Sequence, residues 1–213
     1  MTWKRARTEE QKDIRLAEII SATERLYSKF SFEEITFAAI AKEANFTRSN
    51  LYKYFSSKEE IFLAFLKRDV VQWRQELLAE FSSDCNCTVR QFAGIWVDFV
   101  VKQERLLGLI AILYTSLEKN IALEQMVAFK RQAVIEYSAV VELLCRLFPG
   151  LTAKQAVDFL QLQFSVAIGL YHMTDLSDLQ QEVLNDPEFE QFKVDLVSSY
   201  REAVVHIISG LLN

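Results

Sequence analysis

The sequence is poor in the residues that punctuate sheets and tight turns, since its 213 residues include only 5 Gly and 2 Pro. Hairpins depend on both residue types, so their scarcity argues against an all-β architecture. Hydrophobic residues make up 51% of the chain, which is enough for a sizeable core and excludes global disorder. We therefore predict an all-α fold.

Residues that carry catalysis or bind metals are also scarce, with 2 His and 3 Cys in the whole chain. There is no His-Glu metal spacing, no glycine-rich phosphate loop and no nucleophile motif. We predict no catalytic residue, no metal and no cofactor. The odd cysteine count and a charged N-terminal segment without an apolar stretch favour the cytoplasm.

Long hydrophobic runs are missing as well. Residues 106–117 are uncharged but short, and residues 159–174 are interrupted by Gln and His side chains. A membrane span needs about 20 predominantly apolar residues. Both runs are therefore predicted to be buried core helices, and no membrane partner is expected.

The net charge of −5 is unevenly distributed along the chain. Residues 1–58 hold 11 Lys and Arg against 8 Asp and Glu, whereas the remainder is strongly acidic. Such asymmetry favours contact between the basic end and a polyanion, although a net of +3 is also ordinary for a protein surface.

Helix starts are marked by Ser or Thr followed three residues later by Glu or Gln, the pattern of a capping box. It occurs at Thr8, Ser57, Thr88 and Thr152, and Asp186-Pro187 marks another start. With apolar periodicity these signals predict about nine helices, at 10–30, 37–43, 48–54, 57–81, 88–103, 105–116, 122–147, 153–172 and 187–211. Residues 174–186 are predicted to be a polar, acidic connector.

The most informative stretch is residues 26–62. Thr36 is expected to cap one short helix and Thr47 the next, with Asn45 in the turn between them because Asn tolerates a left-handed backbone. Two short helices joined by a turn of three or four residues form a helix-turn-helix. The second helix has polar residues first and apolar residues behind, as docking in the major groove of DNA requires.

The order of residues in this stretch resembles the TetR family of repressors. The matching positions are Leu26-Tyr27, Ser31-Phe32, Thr36, Ile40-Ala41, Ala44-Asn45-Phe46-Thr47, Leu51-Tyr52, Tyr54-Phe55 and Lys58-Glu59. Ser31, Asn45 and Ser49 stand where the family usually has glycine. The resemblance implies an N-terminal three-helix DNA-binding domain joined by a shared helix to a C-terminal helical bundle. The composition shifts near residue 58, which predicts the boundary between the two, at residues 1–58 and 59–213.

The DNA-binding candidates are the polar residues of the helix-turn-helix: Thr36, Thr47, Arg48, Ser49, Asn50, Tyr52, Lys53 and Lys58. Arg reads guanine and Asn reads adenine most often, so Arg48 and Asn50 are predicted to contact bases. Tyr52, Lys53 and Lys58 are predicted to hold phosphates. Lys4, Arg5 and Arg7 form a basic arm that either reaches DNA or is a disordered terminus.

The resemblance further implies that the last two long helices build the interface of a homodimer, which would bind a palindromic double-stranded operator. Candidate interface residues are Phe164, Ile168, Tyr171, Tyr200, Val204 and Ile208. Packing inside one subunit would give the same periodicity, so the pattern does not decide between the two. A homodimer would multiply the weak selectivity of one short reading helix.

A hydrophobic small-molecule effector is expected between helices of the C-terminal domain. Candidate pocket residues are the polar or aromatic ones within apolar helices: Trp96, Phe99, Tyr114, Tyr137, Gln163 and His172. The leading hypothesis is a ligand-responsive dimeric repressor. The alternatives are a DNA-binding regulator without a small-molecule effector, and an all-α enzyme or carrier with a coincidental motif.

Overall fold

The computed structural model describes residues 9–81 and 87–213, and these residues are helical with no β-strand among them. The ten α-helices are α1 Glu9–Tyr27, α2 Phe37–Glu43, α3 Arg48–Leu51, α4 Lys58–Glu80, α5 Val89–Val101, α6 Glu104–Ile112, α7 Leu123–Leu147, α8 Ala153–Thr174, α9 Asp178–Leu184 and α10 Leu196–Leu212. The all-α prediction is confirmed. None of the described helices is both long enough and apolar enough to span a bilayer.

The capping signals locate most of the predicted helix starts. Thr88 and Thr152 each form a complete capping box with the glutamine three residues later. Ser57 accepts from the backbone N–H of Glu60, but the Glu60 carboxylate accepts from Ser56 rather than from Ser57. Thr8 and the basic arm at Lys4, Arg5 and Arg7 lie outside the described residues.

Several predicted boundaries are wrong. The first helix ends at Tyr27 rather than near residue 30, and Phe30 is 48% exposed. The predicted connector contains α9, because Ser177 and Gln180 form a capping box that was overlooked. The predicted final helix is two elements, a 3₁₀ segment at Pro187–Phe192 and α10, because Asp195 accepts from Ser198 N–H and starts a new helix.

The segment between α6 and α7 is helical but not α-helical. A π-helical turn, Leu113–Leu117, and a 3₁₀ turn, Glu118–Asn120, follow α6 before α7 begins. The sequence predicts one regular helix over 105–116. In the structure Leu113 and Leu117, which are apolar and four residues apart, are both buried in the π-helical turn. Periodicity does not distinguish a π-helical turn from an α-helical one over so short a distance.

Contacts divide the chain into two units. The first unit comprises the residues up to Asp69 together with Ile112–Gln132, and the second unit comprises Val70–Ala111 together with Ala133–Asn213. The first unit is built on aromatic packing, with the Phe62 ring 4.9 Å from that of Phe32 and 5.5 Å from that of Tyr27. Phe62 is fully buried, and burial of such a side chain contributes roughly 1.5–3 kcal/mol. The domain boundary predicted at residue 58 stays a prediction.

The second unit has its core where α10 packs against α5 and α8. Trp96, Phe92 and Phe159 form its aromatic centre, with ring centroids 5.2–5.9 Å apart. All three side chains are fully buried.

Candidate nucleic-acid interface

The turn between α2 and α3 is closed by the backbone alone. Phe46 N–H donates to Ala41 C=O at 2.8 Å and Asn45 N–H to Lys42 C=O at 3.1 Å, the two hydrogen bonds of a Schellman motif. Asn45 has φ of 57°, the only positive φ at a non-glycine position among the described residues. The prediction that Asn45 occupies a left-handed turn is confirmed, and glycine at Ser31 or Ser49 is not required by the backbone here.

Threonine caps orient both helices of the motif as predicted. The Thr36 hydroxyl accepts from Ala39 N–H at 3.1 Å, and the Thr47 hydroxyl accepts from Asn50 N–H at 3.2 Å. Each cap occupies one orphan N–H of its helix. Regular α-helix ends at Leu51 rather than at residue 54, since Lys53 and Tyr54 make 3₁₀-type hydrogen bonds to Asn50 and Leu51.

The reading face of α3 is organised by an aromatic stack. The Tyr52 ring lies 4.6 Å from the ring of Phe37, centroid to centroid, with the planes 28° apart. The Arg48 guanidinium lies 5.7 Å from the Tyr52 ring centroid and donates to its hydroxyl at 3.2 Å. Tyr52 is 49% exposed. Phe37, an apolar residue of α2 that helical periodicity would place in the core, supports this stack instead.

Asn50 and Lys53 are also joined to each other. Lys53 Nζ donates to Asn50 Oδ1 at 2.6 Å, while Ser49 is exposed beside them. Asn needs its carbonyl oxygen to accept from the adenine amino group. This oxygen has two lone pairs, so it can accept from a second donor while Lys53 stays bound.

Lys58 binds backbone carbonyl groups of the loop that precedes α2. Its ammonium donates to Phe32 C=O at 2.7 Å and to Ile35 C=O at 2.9 Å, and it lies 4.0 Å from the Phe32 ring centroid. Two of its three donors are thus committed to the backbone that precedes α2. Lys58 therefore fixes this loop, and because its ammonium has a third donor, the predicted phosphate contact stays a prediction.

The loop before α2 carries a second local anchor. Ser31 donates through both its N–H, at 2.8 Å, and its hydroxyl, at 2.9 Å, to Glu34 Oε2. The backbone N–H of Ser31, with its hydroxyl adding to the effect, holds the pKa of the exposed Glu34 carboxyl below its usual value. The serine hydroxyl therefore adds one hydrogen bond to Glu34 that the usual glycine could not make.

A surface groove of about 540 Å³ lies between α1 and the α2–α3 turn. Its charged residues pair within the same unit, Arg25 with Glu43 at 2.6 Å and Arg15 with Glu18 at 2.6 Å. These pairs leave the groove without an unmatched charge that would indicate a ligand.

Two of the predicted pocket residues belong to a closed polar network in the second unit. Trp96 Nε1 donates to Gln163 Oε1 at 3.2 Å and to the Tyr200 hydroxyl at 3.3 Å, and that hydroxyl donates to Gln163 Oε1. Gln163 Nε2 donates to Leu160 C=O at 3.1 Å. All three side chains are fully buried, and burial raises the pKa of Tyr200. The network satisfies a polar core and leaves these residues no free group for a ligand.

The other pocket candidates are dispersed. Tyr114 is 56% exposed, in the first unit, with Lys130 Nζ 5.5 Å from its ring centroid. His172 is also exposed. Tyr114 and His172 were both expected inside an apolar interior, and neither lies there. Phe99 and Tyr137 are half-buried in the second unit.

The interface candidates fall into two groups. Tyr200, Val204 and Ile208 are fully buried within one chain, so they have no surface to offer a second chain, and their assignment to an interface is corrected. Phe164, Ile168 and Tyr171 on α8 are half-buried. Sequence analysis missed an exposed apolar stripe on α8, in which Leu162 is 49% and Met173 55% exposed and Gly169 lies between them.

Comparison with known proteins decides the family. Residues 19–65 match the model of bacterial regulatory proteins of the tetR family, and residues 67–213 match the model of the tetracyclin repressor-like C-terminal domain. The chain belongs to the TetR family. The resemblance predicted from the helix-turn-helix residues is confirmed, and it extends through the C-terminal bundle.

A curated relative of this TetR-family chain is the uncharacterized HTH-type transcriptional regulator YfiR of Bacillus subtilis, with 42% identity over 55 residues. That match covers 26% of this chain and 27% of YfiR, so the chain spans about a quarter of the length of the curated relative.

Two solved structures share the fold over nearly the whole chain. One is FadR of Thermus thermophilus, a TetR-family repressor solved in complex with lauroyl-CoA, with a TM-score of 0.63 and 16% sequence identity. The matched region covers 92% of this chain and 94% of the FadR chain. A TetR-family regulator from Mesorhizobium loti has a TM-score of 0.60 at 13% identity and covers 94% and 96%.

Proposed function

We propose that this protein is a sequence-specific DNA-binding transcription regulator, a dimeric repressor that responds to a small molecule. The observation that carries the proposal is the α2–turn–α3 geometry, in which the left-handed Asn45 sets the turn and the Arg48–Tyr52–Phe37 stack stands at the start of α3. The proposal places the protein in the cytoplasm with genomic DNA, and it includes no catalytic activity.

The DNA-contacting roles are distributed over the motif. Arg48 is proposed to read a guanine, with its guanidinium oriented by Tyr52, and Asn50 is proposed to read an adenine through the second lone pair of its oxygen, with Lys53 beside it positioned for a phosphate. The remaining polar residues, Thr36, Thr47, Ser49 and Tyr52, are proposed to hold the backbone. The cap hydroxyls of Thr36 and Thr47 accept from the helix N–H groups, so their own hydrogens remain to donate to phosphate oxygens.

Selection from a genomic DNA pool tests the first part of the proposal. The full chain should retain a small set of sequences with dyad symmetry and bind them at least about 10³-fold more tightly than unrelated DNA at physiological salt. Affinity that is uniform across the pool would contradict sequence-specific regulation. The same selected site then serves all later measurements.

The homodimer is proposed to form through α8. The stripe of Leu162, Gly169 and Met173 recurs at helical spacing and is exposed in a single chain, which is the property that an interface residue must have. The half-buried Phe164, Ile168 and Tyr171 remain candidates beside it. A Cβ added at Gly169 meets no atom within 4 Å among the described residues, so a larger side chain there is expected to leave the fold of one subunit undisturbed.

Gly169→Glu is therefore a clean test of the interface. It should convert a dimer to a monomer in sedimentation velocity and abolish binding to a palindromic site. Gly94→Glu is the matched control, because a Cβ added at Gly94 on α5 also meets nothing within 4 Å. A dimeric Gly169→Glu variant, or equal loss in both variants, would contradict an α8 interface.

Control by a small molecule is the part of the proposal with fewer residues behind it. Support comes from the aromatic interior of the second unit and from FadR of Thermus thermophilus, a fold neighbour solved with lauroyl-CoA. The predicted boundary, with DNA binding in residues 1–58 and sensing in residues 59–213, is retained as part of this proposal. Release of the selected site by a hydrophobic compound would support it, and a regulator without an effector would show no release.

A further inference from the structure

The indole of Trp73 is a buried donor without an acceptor. Trp73 lies on α4 and is 6% exposed, yet its Nε1–H has no hydrogen-bond partner in the part of the chain that the structure describes. More than nine in ten buried polar groups in proteins are hydrogen-bonded to protein or ordered water. An indole N–H only donates, so whatever satisfies it must supply an acceptor.

The neighbours of Trp73 supply none. Its ring centroid lies 5.8 Å from that of Phe164, 6.0 Å from Trp96 and 6.5 Å from Phe99, and we call these four residues the Trp73 cluster. Aromatic rings accept hydrogen bonds only weakly. The Trp73 indole thus packs against three aromatic rings, none of which offers its N–H a strong acceptor.

The polar network beside the cluster is already complete. Gln163 Oε1 accepts from both Trp96 and Tyr200, and the Tyr200 hydroxyl accepts from Trp96 while it donates to Gln163. These oxygens already hold hydrogen bonds to buried donors, and the structure shows no contact between them and Trp73 Nε1. The unmet donor is therefore not explained by the adjoining protein groups.

The cluster also keeps accessible surface. Trp96 is fully buried, whereas Phe99 on α5 and Phe164 on α8 are half-buried. An apolar site with one unmatched donor has the composition of a small-molecule pocket, which is mostly apolar with a few polar groups that fix orientation.

We propose that the Trp73 cluster binds a small, largely apolar molecule through a hydrogen bond from Trp73 Nε1–H to an uncharged oxygen of that molecule, such as a carbonyl. This inference rests on the proposed control by an effector and adds the chemistry of its recognition. The cluster contains no carboxylate to attract a cation and no ammonium or guanidinium to neutralise an anion. Uncharged carbonyl compounds are therefore the class of ligand that it fits.

Indole NMR with two matched probes tests the hydrogen bond directly. The chain has three tryptophans, Trp3, Trp73 and Trp96, so ¹⁵N-tryptophan labelling gives three indole peaks that Trp→Phe variants assign. Acetophenone and ethylbenzene have nearly the same shape, but only acetophenone carries a carbonyl. We expect saturable downfield movement of the Trp73 indole proton with acetophenone, and only a small ring-current shift with ethylbenzene.

The variant Trp73→Phe then separates the hydrogen bond from apolar contact. Trp73→Phe should weaken acetophenone binding about three- to tenfold more than ethylbenzene binding, because both probes lose apolar contact with the smaller ring but only acetophenone loses a hydrogen bond. Phe99→Leu is the comparison variant, since it alters the apolar lining without touching the donor and should change both affinities alike. Circular dichroism and the melting temperature verify that both variants are folded.

Several outcomes would overturn the inference. One is equal movement of the Trp73 indole peak with both probes, and another is equal loss of both affinities in Trp73→Phe. The others are no binding of either probe up to its solubility limit, and a water cross-peak showing that an ordered water accepts the hydrogen bond from Trp73 Nε1–H. Binding to the selected DNA site is measured on the same samples. If that binding is intact while the indole results fail, the inference about Trp73 is wrong and sequence-specific DNA binding stands.

Discussion

The guanidinium of Arg48 lies 5.7 Å from the ring centroid of Tyr52 and donates a 3.2 Å hydrogen bond to the Tyr52 hydroxyl. Tyr52 in turn stacks on Phe37 of the preceding helix. The side chain expected to read a base is thus held in place before DNA is bound. Pre-organisation of this kind lowers the entropy lost on binding.

Arg48→Ala should remove discrimination at one base pair of each half-site, at a cost of about 1–3 kcal/mol there. Tyr52→Phe keeps the ring stack but loses the hydroxyl, so it should cost less and leave the preferred base unchanged. Binding to a library of single-base variants of the selected site measures both. Uniform weakening across the library by Arg48→Ala would show that Arg48 contacts phosphate instead.

Lys58→Ala should destabilise the helix-turn-helix. It removes hydrogen bonds from a charged group to Phe32 C=O and Ile35 C=O, and such bonds contribute about 1.5–3 kcal/mol. Urea unfolding measures the loss, with the exposed Lys42 changed to Ala as the control. A direct phosphate role would behave differently, with unchanged stability and a salt slope of DNA binding lowered by about one unit.

Asn45→Ala should lower the free energy of unfolding by less than the roughly 1–2 kcal/mol that a Cβ costs in the left-handed region, because Asn45 carries the same Cβ at a φ of 57° and alanine lacks only the short polar side chain that makes this region tolerable. Asn45→Gly should be neutral or stabilising, since glycine adopts this conformation freely. Thermal or urea unfolding of the two variants gives the comparison. If alanine and glycine were equivalent, the turn would not depend on a left-handed residue.

Gln163→Leu should be more damaging than Tyr200→Phe. The first removes the oxygen that both Trp96 Nε1 and the Tyr200 hydroxyl donate to, and each poorly satisfied buried donor costs about 1–3 kcal/mol. The second leaves Trp96 bonded to Gln163. Unfolding free energies of the two variants and of the double variant measure the coupling, and additive losses would mean that the network does not act as a unit.

The contribution of Glu34 to the free energy of unfolding should fall as the pH is lowered. Its pKa is lowered in the folded state, so the contribution is complete above the pKa of an unfolded glutamate and is lost as the pH falls through the folded-state value. A ¹³C-carboxyl titration should show the lowered pKa. Ser31→Gly should raise that pKa only in part, because the backbone N–H remains as the larger cause. Full recovery of the usual value would assign the effect to the hydroxyl alone.

Local signals carried much of the fold. Thr36, Thr47, Thr88 and Thr152 cap helices as predicted, because a cap is decided by side chains and N–H groups within three residues of each other. The turn residue Asn45 is equally local. The overlooked α9 followed the same rule at Ser177, so this error came from reading the pattern and not from missing information.

The sequence by itself therefore determined the all-helical class, the helix-turn-helix and the family. Only the tertiary structure decided which side chains are already engaged, namely that Lys58 binds backbone carbonyls, that Trp96, Gln163 and Tyr200 satisfy one another, and that Trp73 does not find an acceptor. These pairings join residues 23 to 104 positions apart in the chain. Helical periodicity reports which face of a helix is apolar, but it does not report what that face meets.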